Sequence, residues 1–363
     1  MTPGDRVLRP LSGGGASHDL ADPFTFAVLG DCQPALARMP YSQVTLAIMR
    51  ELRILRPEFV LYAGDRVWGF GETTQELRNG YDRFRALAES TGVPFYAVPG
   101  NHECQSDPAA IAVLESLGTA SYGSFDAGRY HVVGLNTEEF CLEGRVAGDQ
   151  LAWLETDLAA HRDAAGIFVF MHRPLFSWFQ GDFNPEDSER LQELFRTHPV
   201  RAVFAGHDHF YAEHESDGIR YLTVGGGGGT LYAQPPQGGF SHYLLVHVDE
   251  ERYDIDVIAP GRIQVDLVAG NDGLEPVATA RVVNTTERSL LARNLELRLP
   301  RLSAPDGYQL SSHYVEFDGT RIDLAAEVRE IRDNDDGSVT LGVQIPLPDG
   351  SAFYVTAKAV EPR

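Results

Sequence analysis

The chain of 363 residues is 43% hydrophobic, 10% aromatic and 23% charged, a globular composition long enough for about two domains. Disordered, collagenous and low-complexity classes are excluded, because this much apolar surface can offset chain entropy. Its 52 aspartates and glutamates exceed 30 lysines and arginines, giving a net charge of −22 with Lys358 as the sole lysine. So acidic a surface repels phosphate backbones and anionic lipid, and neither general nucleic-acid binding nor membrane association is expected.

No apolar run reaches the ~18 residues that a spanning helix needs. Residues 1–22, rich in Gly, Ser, Asp and Pro, read as a flexible segment without the apolar stretch of a secretory signal. The expected location is cytoplasmic as written, or secreted if a leader has been removed. Cys32, Cys104 and Cys141, with no CxxC among them, exclude a disulfide scaffold and a zinc ribbon.

From Phe24 the chain alternates apolar runs with helical periodicity. Strands are predicted at Phe24–Leu29, Phe59–Ala63, Phe95–Val98, Tyr130–Leu135, Ile167–Met171 and Ala202–Phe204. Helices are predicted from Ser42, which can cap Val44, Ile48, Leu52 and Leu55, and over Glu76–Glu89, Asp149–His161 and Asp187–His198. After Ala205 the helices stop, and Tyr221–Val224, Tyr243–Val248 and Tyr253–Ile258 read as antiparallel strands. Beyond about Val268, short alternating strands are separated by turns such as Asp318-Gly319 and Pro348-Asp349-Gly350, which predicts a small β-sandwich. The expected division is therefore 23–268 and 269–363.

Polar clusters follow the strands: Gly30-Asp31-Cys32-Gln33, Gly64-Asp65-Arg66, Gly100-Asn101-His102-Glu103, Met171-His172-Arg173-Pro174 and Gly206-His207-Asp208-His209. Carboxylates, an amide oxygen and imidazoles beyond strand ends form a metal-ligand inventory at the edge where α/β sheets build their sites.

These clusters, in this order, resemble the calcineurin-like metallophosphoesterase superfamily, whose signature is DxH, GDxx, GNH(E/D), H and GHxH. The resemblance covers about residues 24 to 260. It implies an α/β (α+β) fold of four αββα layers, followed here by the β-sandwich. It also implies two divalent metal ions, with Asp31, Gln33, Asp65 and His209 around the first and Asp65, Asn101, His172 and His207 around the second. Asp65 would bridge the two, and a hydroxide shared by the metals would attack phosphorus. His102 would contact the phosphate with Asn101 and protonate the leaving oxygen, as a neutral-range imidazole can.

The first cluster departs from that pattern, since Gln33 stands where the family usually has histidine. An amide oxygen is harder than imidazole nitrogen, which tilts the expected metal to manganese, with magnesium, iron, zinc or calcium as alternatives. A water in that position, with Gln33 outside the ligand shell, is the other reading. Trp68 occupies the place where purple acid phosphatases carry a tyrosine ligand, although His207-Asp208-His209-Phe210-Tyr211 looks like that branch. Arg173 is a candidate phosphate contact and Arg66 a weaker one. Tyr211 and His242 are expected behind the ligands. The glycines Gly225–Gly229 lack the lysine and helix of a P-loop and predict a tight passage beside the site. Trp153 and Leu154 read as core. Trp178, Phe179 and Phe183 line a substrate cleft or pack on the C-terminal domain. Cys32 and Cys104 sit in two ligand loops, close enough in principle for oxidation to couple them.

The expected activity is hydrolysis of a phosphomonoester in a phosphorylated small molecule or other phosphoester. A phosphodiesterase or nucleotide pyrophosphatase, or a binding protein on a catalytically weak phosphoesterase fold, are the alternatives. A homo-oligomer is compatible with the sequence.

Overall fold

The computed structural model describes residues 6–11, 20, 22–104, 108–117, 120–138, 144–178, 183–250, 252–303, 307–315 and 318–360. The readings of Cys141, of Phe179 and of most of segment 1–22 lie outside these residues. The chain divides into two units, Met1–Met49 with Pro57–Ile258, and Arg50–Arg56 with Ala259–Arg363.

In chain order the first unit runs β1 (Phe24–Leu29), the first half of α1 (Gln43–Leu55), β2 (Val60–Tyr62), α2 (Thr74–Glu89), β3 (Phe95–Ala97), α3 (Asn101–Cys104), α4 (Pro108–Ser116), β4 (Gly123–Ala127) and β5 (Tyr130–Gly134). It continues with α5 (Gly148–Ala160), β6 (Gly166–Met171), α6 (Pro185–Arg196), β7 (Val200–Ala205), β8 (Tyr211–Ser216), β9 (Ile219–Val224), β10 (Tyr243–Asp249) and β11 (Arg252–Ile258). Helix starts follow local chemistry. Ser42 Oγ accepts the Thr45 N–H at 3.2 Å, and Thr73 with Glu76 forms a capping box that sets α2. Asn184 caps α6, with Pro185 at its first turn.

One sheet has the order β11-β10-β1-β2-β3 and the other β4-β5-β6-β7-β9-β8. Their inner faces share one core, with Phe26, Val28 and Leu61 of the first sheet against Val132, Phe168, Phe170 and Phe204 of the second. The Phe26 and Phe168 rings meet edge-on at 5.1 Å. On the opposite face of the second sheet, Val133, Val169 and Met171 lie beneath Trp153 and Leu154 of α5 and Leu191 and Phe195 of α6. Side chains alternate across each strand, so Val132 enters the first core and Val133 the second. On the first sheet, the Tyr62 ring lies 4.7 Å from Phe84 of α2. Helices outside two facing sheets make the four-layer αββα fold that the motifs imply.

The parallel strands β1, β2 and β3, and likewise β5, β6 and β7, bring their carboxyl ends to one edge of each sheet. Strand β4 was missed because Gly123–Ala127 contains little apolar sequence. Strand β8 was missed because Tyr211–Ser216 is an edge strand with exposed Glu213, His214 and Glu215.

The second unit contains β12 (Ile263–Ala269), β13 (Val277–Asn284), β14 (Leu290–Pro300), β15 (Tyr308–Val315), β16 (Arg321–Asp323), β17 (Glu327–Asp333), β18 (Ser338–Leu347) and β19 (Ser351–Ala359). They form sheets of order β12-β13-β19-β15-β16 and β14-β18-β17, each burying one face, as expected of a β-sandwich. The expected boundary near 268 is displaced to Ile258/Ala259, because β12 pairs antiparallel with β13 and begins this unit's first sheet. Among the described residues no helix is long and apolar enough to cross a membrane.

Candidate dinuclear metal site

The five polar clusters converge. Asp31 follows β1 and Asp65 follows β2, with φ angles of 60° and 63°, and His207 after β7 has 69°. Such left-handed backbone in non-glycine residues costs of order 1–3 kcal/mol each and concentrates where function over-determines the loop. Gly64 illustrates the crowding, since a Cβ there would lie 2.5 Å from His172 Nδ1.

Two groups of donor atoms meet at Asp65. In the first, Gln33 Nε2 lies 3.4 Å from Asp65 Oδ2 and 3.3 Å from His209 Nε2, which is 3.4 Å from Asp31 Oδ1. In the second, His172 Nε2 lies 3.4 Å from Asp65 Oδ1 and 2.8 Å from Asn101 Oδ1. His207 Nδ1 is 2.9 Å from the same Asn101 oxygen and 3.2 Å from His172 Nε2. Asp65 thus offers one carboxylate oxygen to each group, the geometry of a bridging ligand.

The imidazoles are held from behind. His172 Nδ1–H donates to the Ala63 carbonyl at 2.8 Å and His209 Nδ1–H to the Thr230 carbonyl at 2.6 Å, leaving each Nε2 lone pair aimed into the site. Burial, then the Asp31 and Glu103 carboxylates, push Asp65 well above the carboxylate range. Burial, then His207, pushes His172 well below the usual imidazole value. Cationic charge between such groups would reverse the first effect and reinforce the second, favouring an ionised Asp65 and a neutral His172. Gln33 Oε1 is buried without a hydrogen-bond partner, and turning the amide over aims this oxygen at the first group. The donor set therefore fits two divalent cations, with oxygen and imidazole ligands in each group.

His102 lies beside both groups. Its backbone N–H donates to Asp65 Oδ1 at 3.1 Å, its Nδ1–H donates to the Trp68 carbonyl, and its Nε2 stands 3.8 Å from Asp65 Oδ2. Burial lowers its pKa despite the Trp68 hydrogen bond. Arg173 donates through Nε to Glu138 Oε1 at 2.6 Å and through a second nitrogen to Glu138 Oε2 at 3.3 Å, while Nη1 lies 3.3 Å from His207 Nε2. Arg66 is turned the other way, 1% exposed against Glu103 and the Tyr81 ring, so it is no phosphate contact.

Three residues behind the ligands were not assigned from sequence. Glu103 braces the Gly64-Asp65-Arg66 and Gly100 loops through backbone N–H groups; its place at the end of the third cluster was the available signal. Glu138 follows an apolar strand but belongs to no cluster. Tyr62 accepts the Cys32 N–H at 3.1 Å and donates to the Asp65 carbonyl at 3.0 Å, joining the first two loops. The glycine run behaves as a tight passage, with Gly227 N–H on the Gly30 carbonyl and Gly229 N–H on that of Asp31. His242 is fully buried, its ring 5.4 Å from that of Tyr211, and burial lowers its pKa to about 4.

Two expectations are corrected. Cys104 is disulfide-bonded whereas Cys32 is free, so the two are not the thiol pair that oxidation could couple. Cys32 Sγ lies 3.3 Å from the Gly227 carbonyl, and burial pushes the thiol up to about 12. Phe183, expected in a cleft wall or against the C-terminal domain, is buried in the core beneath α6. Trp178 is exposed, its ring 5.0 Å from that of Phe210.

The profile of the calcineurin-like phosphoesterases matches residues 24–211. The chain belongs to this family. This phosphoesterase is accordingly a metal-dependent phosphoric ester hydrolase. It is 27% identical over 184 residues to a 3',5'-cyclic-nucleotide phosphodiesterase of Nostoc sp., covering 49% of this chain and 66% of that one. It is 29% identical over 182 residues to a serine/threonine-protein phosphatase of Danio rerio, 45% of this chain and 58% of the other. A solved dimetal phosphatase from Danio rerio superposes with a TM-score of 0.52 at 18% identity, over 65% of this phosphoesterase and 96% of that chain, a likeness of fold.

Proposed function

We propose that the protein hydrolyses a phosphomonoester, using two divalent cations held by Asp31, Gln33, Asp65 and His209 on one side and by Asp65, Asn101, His172 and His207 on the other. The observation that carries this reading is the division of the Asp65 oxygens between two groups of converging donors. Cations bound there supply Lewis-acid charge for the phosphoryl oxygens and an acidified water as nucleophile. Manganese is the favoured ion because the Gln33 and Asn101 amides add hard oxygen donors.

The chain's own groups do the rest. The Trp68 carbonyl holds the His102 Nδ1–H, so Nε2 is the atom that carries a proton to the leaving oxygen. Glu138 holds Arg173 beside His207, from where its guanidinium orients a phosphoryl oxygen. The Cys104 disulfide supports the exported alternative over the cytoplasmic one, since disulfides persist in oxidising compartments.

A second reading, a phosphodiester substrate, is favoured by the likeness to the Nostoc cyclic-nucleotide phosphodiesterase. Turnover of p-nitrophenyl phosphate against bis-p-nitrophenyl phosphate in Mn²⁺ separates the two. Faster hydrolysis of the diester selects the second reading, and hydrolysis of neither rejects both.

A further inference from the structure

A cavity of about 420 Å³ opens on the first ligand group, with Gln33, His102 and His209 among its lining. Beyond this floor three aromatic rings, Trp68, Phe70 and Tyr232, stand among smaller residues of the lining. On the His102 side the Trp68 and Phe70 rings pack edge-on against the imidazole at 5.5 Å and 4.6 Å. On the His209 side the Tyr232 ring stacks on the imidazole at 4.2 Å with an interplanar angle of 11°. Phe70 is 41% and Tyr232 55% exposed, so these rings stay in water at the mouth of the cavity instead of completing a core. Among the described lining residues none is a lysine or arginine.

Those features specify what lies next to the phosphoryl group. Exposed rings gain by covering a flat apolar face, and the absence of a cationic side chain there gives a second phosphate nothing to pair with. The net charge of −22 adds a field against polyanions. We propose that Phe70, Tyr232 and Trp68 form a subsite for a flat, uncharged aromatic ring in the alcohol part of the substrate, the base of a nucleoside or an aryl group. This rests on the phosphoester reading above and adds the substrate class to it.

The test compares kinetics of the Mn²⁺-loaded full chain on adenosine 5'-monophosphate and phenyl phosphate with ribose 5-phosphate and glycerol 2-phosphate. The subsite predicts a KM about tenfold lower for the ring-bearing pair, the usual worth of one stacking contact. Preference for the nucleotide alone identifies a nucleoside, and equal preference for phenyl phosphate identifies any aryl group. Tyr232→Ala and Phe70→Ala, at exposed positions, should reduce the ratio of ring-bearing to aliphatic kcat/KM, and Tyr232→Phe should preserve it. Metal content is measured alongside, so a shift in ratio at unchanged occupancy reports the subsite and not the neighbouring His209. A readout independent of turnover is quenching of tryptophan emission, excited at 295 nm, by adenosine but not by ribose, lost in Trp68→Phe. Equal KM across the four esters, or no quenching, overturns the subsite while leaving hydrolysis standing. Quenching by adenosine without hydrolysis of any ester keeps the subsite and overturns the proposed activity.

Discussion

Glu103 accepts the backbone N–H of Asp65 at 2.9 Å on one carboxylate oxygen and that of Arg66 at 2.6 Å on the other. It also accepts the Gly100 N–H at 2.6 Å, so one fully buried carboxylate fixes the loop of Asp65 and the loop that leads into Asn101. Its charge faces the buried Arg66 guanidinium at 3.6 Å. Glu103→Ala would strand those donors and an unpaired buried cation, at a cost of about 3–5 kcal/mol. Glu103→Gln keeps an acceptor and should cost less, with metal occupancy reduced in both variants. Denaturant midpoints and metal analysis check this, and wild-type occupancy in a folded Glu103→Ala protein would show that the brace does not set the site.

A second group of titratable side chains lies elsewhere. His131 of β5 sits between Asp126 of β4 at 2.6 Å and Asp157 of α5 at 2.8 Å, and the His161 ring stacks on it at 3.5 Å. Both His131 ring nitrogens are taken by carboxylates, and the in-plane lone pairs of the two stacked rings lie in separate, nearly parallel planes, so the group is an ion-pair cluster. Burial lowers the His131 pKa, but the hydrogen bonds and charges of Asp157 and Asp126 outweigh it and the net shift is upward. The folded state therefore holds this proton more tightly than the unfolded chain. Its contribution is complete below about pH 6.5, the unfolded imidazole value, and is lost as pH rises through the higher folded value. His131→Gln should cost about 2 kcal/mol at pH 6 and less at pH 9. Melting curves of both proteins across that range test the sign; a cost that grows with pH would contradict it.

His102 offers a cleaner separation of chemistry from binding. His102→Ala should keep both metals, since the imidazole belongs to neither donor group, yet lose turnover by roughly 10²–10⁴-fold, the usual worth of a general acid. The loss should shrink on p-nitrophenyl phosphate, whose leaving group needs little protonation, and be full on an alkyl phosphate. An equal loss on both substrates would assign His102 to phosphate contact instead of proton transfer.

The convergence of the candidate donors was legible because these residues directly follow apolar strands, and sequence shows both strand and cluster. What was not legible lies where contacts are long-range. Glu138 reaches Arg173 only after β5 and β6 pair side by side, and neighbouring residues give no hint of that pairing. Tyr232 follows the glycine run, and only the fold of that run brings it onto His209. Strand β12 was placed in the wrong unit because Ile263–Ala269 continues the texture of the strands before it. Its partner β13 lies beyond Asn271-Asp272-Gly273, and the pairing that assigns it appears only in three dimensions.

Gln33 is the residue at which this chain is most individual, and its orphaned Oε1 makes it testable. If that oxygen is a ligand of the first metal, Gln33→His exchanges it for a softer nitrogen without changing charge, and metal preference should move towards zinc. Gln33→Ala should weaken the first site more than the second, because Asn101, His172 and His207 are untouched. Asp65→Asn acts differently: it removes a negative charge that both donor groups share, so both metals should be depleted together. The measurement is metal content after dialysis against mixed Mn²⁺ and Zn²⁺, for wild type and the three variants in parallel. Unchanged preference and occupancy in both Gln33 variants, beside a depleted Asp65→Asn, would place Gln33 outside the ligand shell and leave its oxygen to a water.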